Sequence, residues 1–259
     1  MRQGIVLYQK EMLEMVRNYK MIWIPIVFIL LGVMQPISSY FMPELLDTFG
    51  GLPEGTVLRM PTPTGAEVFI QVVSNYGLLG VLILVLSAMG VVSAEKQSGA
   101  AAMVMIKPVS YTAYILSKWA GLITITLVSL MIGSIASWYY TNLLIGTVPF
   151  DRMAQSVLIY SLWLVFVVTL TLFFSTVMKG NGSVAFLTIL VVFTLSALTS
   201  FMGEKMSWSP AAMTEHSGKI LLVGELGSTF IPALLVTLIV MILILFLSVQ
   251  FFKKKELLQ

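Results

Sequence analysis

Six uncharged apolar stretches, near residues 21–41, 76–94, 119–141, 156–178, 183–202 and 229–252, constrain this chain more than any other feature. Each is long enough to cross about 30 Å of hydrocarbon as a helix. None alternates apolar with polar residues, so a barrel of membrane strands is not indicated. Hydrophobic residues make up 58% of the chain and charged ones 10%, with a mean hydropathy of +0.96, which excludes a soluble domain. The absence of cysteine excludes disulfides and thiolate metal sites. The expected fold is therefore an all-α integral membrane protein. It has six transmembrane helices over 21–259, preceded by an N-terminal amphipathic interfacial helix at 1–20.

Charge orients the spans. With the N-terminus inside, the inner segments hold Arg2, Lys10, Arg17, Lys20, Lys96, Lys107, Lys118, Lys179, Lys253, Lys254 and Lys255, which are 11 of the 15 basic residues. The outer segments hold Arg59, Arg152, Lys205 and Lys219 against Glu44, Asp47, Glu54, Glu67, Asp151, Glu204, Glu215 and Glu225. The positive-inside rule predicts that both termini are cytoplasmic. A cytoplasmic N-terminus and the lack of cysteine fit a bacterial plasma membrane.

Residues 1–20 do not read as a cleavable signal, because the apolar run starts late and no small-residue cleavage site follows it. Ile5, Tyr8, Met12, Val16 and Tyr19 recur at helical spacing, which predicts a helix on the inner membrane surface or an extension of the first span. Pro36 is expected to bend or end the first span, and the outer loop after Met42 is rich in proline and glycine. Ser129, Gly133 and Ser137 lie four residues apart on one face of the third span, a spacing that lets another helix approach closely. Trp119 at one end of that span and Trp138, Tyr139 and Tyr140 at the other match interfacial aromatic belts. The outer segment 203–228 carries the helix-start signal Ser209, Pro210 and is expected to form one or two short helices.

The spans contain no Asp, Glu, Lys, Arg or His. Coupled transporters keep ionisable residues in the membrane, and intramembrane enzymes need acids, bases or metal ligands in one pocket. The only histidine, His216, falls in the outer segment and reads as a solvated residue with no metal role. Gly218 and Lys219 fail the phosphate-loop pattern, because Ile220 replaces the required Ser or Thr. Asn75, just before the second span, and Thr194, Ser196 and Ser200 of the hydroxyl-rich fifth span are candidates for lining a substrate pathway.

The segment 93–118 joins the second and third spans and is too polar at its ends to cross a bilayer, yet it contains the apolar run 100–106. A short apolar run of that kind suits a helix that docks on something and does not span lipid. Glu95 is followed four residues later by Gly99, and Lys107, Pro108, Val109 and Ser110 lead to Lys118. This pattern resembles the permease subunits of ABC-2 type transporters, as do Lys10 and Glu11 on the first helix and the six-span plan. The resemblance implies an ATP-driven exporter in which two permeases, identical or homologous, form the pathway. A separate ABC ATPase subunit would bind ATP and Mg, so this chain would hold no cofactor, catalyse nothing itself and bind no nucleic acid. It further implies that the 95–118 loop couples to the ATPase through Glu95, Gly99, Met103, Lys107, Pro108, Ser110 and Lys118, assisted by Glu11. The other readings are a non-transporting interaction, immunity or sensor subunit, and a membrane-embedded enzyme acting through Glu67, Glu204 or His216.

Overall fold

A computed structural model describes residues 2–49, 63–105 and 109–256, and no strand occurs among them. Helix α1 (Arg2–Arg17) turns through Asn18 and Tyr19, the latter at a φ of 56°, into α2 (Lys20–Phe49). Helix α3 (Gly65–Asn75) continues through a π-helical turn (Tyr76–Gly80) into α4 (Val81–Ala88), and two short helices follow, α5 (Ser93–Gln97) and α6 (Ala100–Met105). The long helices α7 (Tyr111–Leu144), α8 (Phe150–Val177) and α9 (Asn181–Met202) come next. A 3₁₀ turn (Gly203–Met206), α10 (Ala212–Leu222) and α11 (Phe230–Glu256) complete the chain. Among the described residues six helical stretches are long and apolar enough to cross a membrane: Lys20–Glu44, Gly65–Gln97, Tyr111–Leu144, Phe150–Val177, Asn181–Met206 and Phe230–Lys254.

Several helices start earlier than the apolar runs suggest, because polar residues cap them. Thr64 Oγ1 accepts from the Glu67 N–H (3.3 Å) and Glu67 Oε2 accepts from the Thr64 N–H (2.8 Å), so α3 begins at Gly65. Ser110 Oγ accepts from the Ala113 N–H at 3.2 Å, so residues 111–118 form the first two turns of α7 and are not loop. Proline does not end the first span: helix α2 runs on through Pro25, Pro36 and Pro43. A membrane-spanning helix tolerates the lost N–H when a neighbouring helix holds it along its length.

For α2 that neighbour is α7, and the expected small-residue stripe is the seam. A β-carbon on Gly133 would lie 2.7 Å from the Phe28 carbonyl oxygen, and one on Gly32 would lie 2.7 Å from the Gly133 carbonyl oxygen. Ser129 and Ser137 are fully buried beside it. Tyr76 closes the seam: its ring stacks on Phe28 at 5.0 Å and its hydroxyl donates to the Phe28 carbonyl at 3.0 Å. The indoles expected at the interfaces are partly tied inward, Trp119 Nε1 donating to Thr169 Oγ1 and Trp138 Nε1 to the Val148 carbonyl, each at 2.8 Å.

Helix α8 is the centre of the bundle. In its most apolar stretch 78% of residues are buried, against 17% in α11. Its buried Thr169 and Thr171 hydroxyls return to the Val165 and Val167 carbonyls (2.6 and 2.8 Å), and Thr169 also accepts from Trp119, so Thr171 alone is satisfied within its own helix. Helix α10 folds back onto α8, where Ser217 Oγ and Ser156 Oγ form a hydrogen bond at 3.2 Å. This packing buries His216, only 2% exposed, against the edge of Phe230, contrary to the expectation of a solvated residue. Burial, and then the nearby Lys219, hold the imidazole pKa below its ordinary value, while Glu215 opposes them.

Because the fold favours the neutral ring, His216 contributes stability that is present above an ordinary imidazole pKa of about 6.5 and declines as pH falls below it. As the sole histidine, it gives an unambiguous NMR signal in histidine-labelled, solubilised protein. Its titration midpoint is expected below about 6.5; a midpoint at or above that value contradicts the buried position.

Candidate functional site: a buried charge cluster and a cleft at the opposite end

The turn at residues 89–92 breaks the second span inside the bundle and leaves backbone amides that need partners. Ser175 of α8 supplies them: its Oγ accepts from the N–H groups of Val92 and Ser93 (3.0 Å each) and donates to the Met89 carbonyl (2.9 Å). Ser93 Oγ donates to Asn181 Oδ1 at 2.6 Å, and Lys96 Nζ donates to the Thr176 carbonyl at 2.6 Å. The five-residue α5 is thereby pinned to the α8–α9 junction. Lys96 Nζ also lies 4.9 Å from the centre of the Phe252 ring of α11.

Pinned in this way, α5 directs Glu95 at two lysines and a tyrosine. Glu95 Oε1 is 2.9 Å from Lys118 Nζ of α7 and 2.6 Å from Lys10 Nζ of α1, while its Oε2 accepts from the Tyr114 hydroxyl. Glu11 of α1 completes the cluster, its two oxygens 3.0 and 3.2 Å from Lys118 Nζ. The Lys118 side chain is 1% exposed and that of Glu11 5%. The Tyr114 ring stacks on Phe252 at 4.9 Å and roofs the cluster with carbon. Burial lowers the Lys10 pKa, but the Glu95 hydrogen bond and the charges of Glu11 and Glu95 outweigh it, so the ammonium is held charged and its pKa is raised.

Glu11, Glu14 and Glu95 bring carboxylate oxygens within 4.8 Å of one another, a spacing that can hold a metal ion. Lys10 Nζ, however, is 3.1, 3.4 and 2.6 Å from the three carboxylates in turn, so an ammonium already stands where a cation would bind. The cluster is a structural tie between three helices.

Of the expected coupling residues, the structure brings together Glu95, Lys118 and Glu11. Gly99 follows α5 at a φ of +75° with open space around its β-position, so glycine is needed there for the backbone turn alone. Met103 projects from α6, 71% exposed, while Ala101 is buried. Ser110 caps α7; Lys107 and Pro108 lie outside the described residues. Lys10 and Tyr114 belong to the cluster although neither stands among the expected coupling residues; beyond its charge, Lys10 figures in the sequence only beside Glu11 in the ABC-2 resemblance, and nothing local marks Tyr114.

At the opposite end α9 is held to the outer segment by Thr199, which is 7% exposed and whose Oγ1 lies 2.8 Å from Ser209 Oγ. Val184, Ala185, Thr188 and Val192 are buried, whereas Leu198, Ser200 and Phe201 are exposed. A cleft of about 630 Å³ opens between this end of α9, the π-helical turn, α8 and α10. Ser196 and Ser200 line it, together with Ser74 and Gly77. Thr194 points away, exposed, and Asn75 does not line the cleft either. Asn75 Nδ2 instead donates to Gln35 Oε1 at 3.0 Å, and Gln35 Nε2 donates to Gln71, tying α2 to α3.

Removing one partner of a buried ion pair strands the other, at a cost of roughly 3–5 kcal/mol. Lys118→Met is therefore expected to lower unfolding stability by about 3 kcal/mol, and the double variant with Glu11→Gln by clearly less than the sum of the two single effects. Denaturant unfolding in detergent measures this cycle. Additivity within about 0.5 kcal/mol would show that the two groups are not coupled.

A family model described as "Protein of unknown function (DUF2705)" matches residues 57–258. The chain is also similar to the uncharacterized transmembrane protein YxlG of Bacillus subtilis (strain 168), with 33% identity over 256 residues that cover 99% of each chain. Together with the six apolar helices, this makes it a multi-pass membrane protein. With more than three quarters of its length under the family model, the chain belongs to the DUF2705 family.

Proposed function

We propose that this chain is the membrane permease subunit of an ATP-driven ABC exporter, forming the substrate pathway and coupled to a separate ATPase subunit. The observation that carries the reading is the tie of α5 to α1 and α7 through Glu95, Lys118 and Glu11. A motor outside the membrane needs a stiff point on which to act. Force applied at α6 passes over the short turn at Gly99 to α5, and from there through buried charges into α1 and α7, so two long elements tilt together. The exposed Met103 supplies an apolar contact for the partner.

The excess of basic residues around this end favours a cytoplasmic location for it and for both termini. Helix α1 then lies in the inner interface, with Ile5, Val6, Leu13 and Val16, each more than half exposed, turned to lipid. The cleft beside Ser196 and Ser200 belongs to the outer half of the pathway. A second permease, identical or homologous, completes the pathway in a bacterial plasma membrane, and the ATPase holds ATP and Mg.

Affinity purification from native membranes in mild detergent tests the reading. An ATPase subunit is expected to co-purify with the intact chain. It is expected to be lost when residues 99–107 are replaced by a Gly/Ser linker, and to be reduced about tenfold or more by Met103→Asp if that side chain is an anchor of the contact. Absence of any ATPase from the intact chain, together with transport by that chain alone, would overturn it.

A further inference from the structure

The cleft beside Ser196 and Ser200 continues into a second cavity of about 630 Å³; Gly203 and Glu215 border both. The two compartments differ in chemistry. Leu78, Trp163, Val192 and Phe193 give the first a carbon floor. The second is walled by Glu204, Glu215, His216 and Lys219, with the Ser228 and Thr229 hydroxyls at its edge.

Among the residues that line the second compartment the charges do not balance, Lys205 being exposed and outside the lining. Lys219 Nζ and Glu215 Oε1 pair at 2.6 Å and largely cancel. Glu204 makes no ion pair among the described residues. His216 is buried, with its Nδ1 unpartnered among the described groups, and its ring is held toward the neutral form. One carboxylate charge is thus left beside a carbon-lined pocket. Each compartment falls within the range of about 300–1,000 Å³ that is typical of small-molecule sites.

We propose that this two-part cleft binds a lipophilic organic cation, its apolar body against Leu78, Val192 and Phe193 and its charge toward Glu204 and Glu215. An anion finds the one ammonium that lines the cleft, Lys219, already paired. A bare metal ion would leave the carbon compartment unused. Nor do these ligands converge on a point: among the described residues, the carboxylates close enough to share an ion are Glu11, Glu14 and Glu95 at the other end of the bundle. The inference deepens the exporter reading, on which the outward position of the cleft rests, by naming a class of cargo.

The test uses the full chain in nanodiscs of zwitterionic lipid, with tetraphenylphosphonium and tetraphenylborate as probes of nearly equal shape and opposite charge. Equilibrium dialysis against empty nanodiscs separates protein binding from partition into lipid. Saturable binding of the phosphonium alone is expected. Its affinity should fall about fivefold or more in Glu204→Gln, as for loss of one partly exposed ion contact, and binding should vanish in Ser196→Phe, which fills the carbon compartment. The proposal is overturned if neither ion binds above empty discs, if both bind equally, or if phosphonium affinity survives both substitutions unchanged. No ATPase is present in this experiment, so its failure leaves the co-purification result standing, and the reverse also holds.

Discussion

Lys118 carries a charge out of water on the side of a membrane helix, and such a charge persists only where countercharges and hydrogen bonds surround it. Glu11 and Glu95 meet this need from two other elements, and Tyr114 and Lys10 satisfy what remains of Glu95. The consequence is geometric. Helix α1 must lie where Glu11 reaches α7, and the chain after α4 must turn where Glu95 reaches the same ammonium. The Ser175 hydrogen bonds to the 89–92 turn and the Lys96 contact with Phe252 then fix α5 from its other side. A five-residue helix thus joins α1, α7, α8 and α11.

The opposite end is built on the reverse principle. Where α2 meets α7, glycines bring backbones into contact and leave no space between them. Where α9 passes the π-helical turn, the helices separate and a cleft remains. A π turn inserts an extra residue into a helix and commonly accompanies a functional position. Here Gly77 and Leu78 of that turn face the cleft directly. One end of the bundle is therefore tied rigidly by charge, and the other is open and asymmetric in polarity. That division suits a protein that receives force at one end and holds a ligand at the other.

Much of the architecture is legible in the chain, because twenty uncharged apolar residues have few alternatives to a membrane helix. The small-residue stripe on α7 is legible for the same reason: spacing alone puts Ser129, Gly133 and Ser137 on one face. Helix ends are less so, since Thr64, Glu67 and Ser110 are polar and read as loop until their capping bonds are seen. The central position of α8 is invisible, because apolar residues facing lipid and apolar residues facing protein look alike. His216 is misread because its burial depends on α10 folding onto α8, a long-range event. Glu95 and Lys118 stand out by their places beside apolar runs, but the pairing of Lys118 with Glu11 spans 107 positions and has no local signature. Asn75 and Thr194 are polar residues at helical positions, and only their facing separates them from Ser196 and Ser200.

If buried charge makes α1, α5 and α7 one mechanical body, the separation of α1 and α5 is fixed, and a spin-label distance reads it. The chain contains no cysteine, so Leu13→Cys on α1 and Ser98→Cys at the end of α5 can be spin-labelled without further changes. Pulsed electron spin resonance should give one narrow distance distribution in this background. It should give a clearly broader one when Glu95→Gln is added, because α5 then loses its ion pairs to α1 and α7. An unchanged, equally narrow distribution in the Glu95→Gln protein would contradict the account.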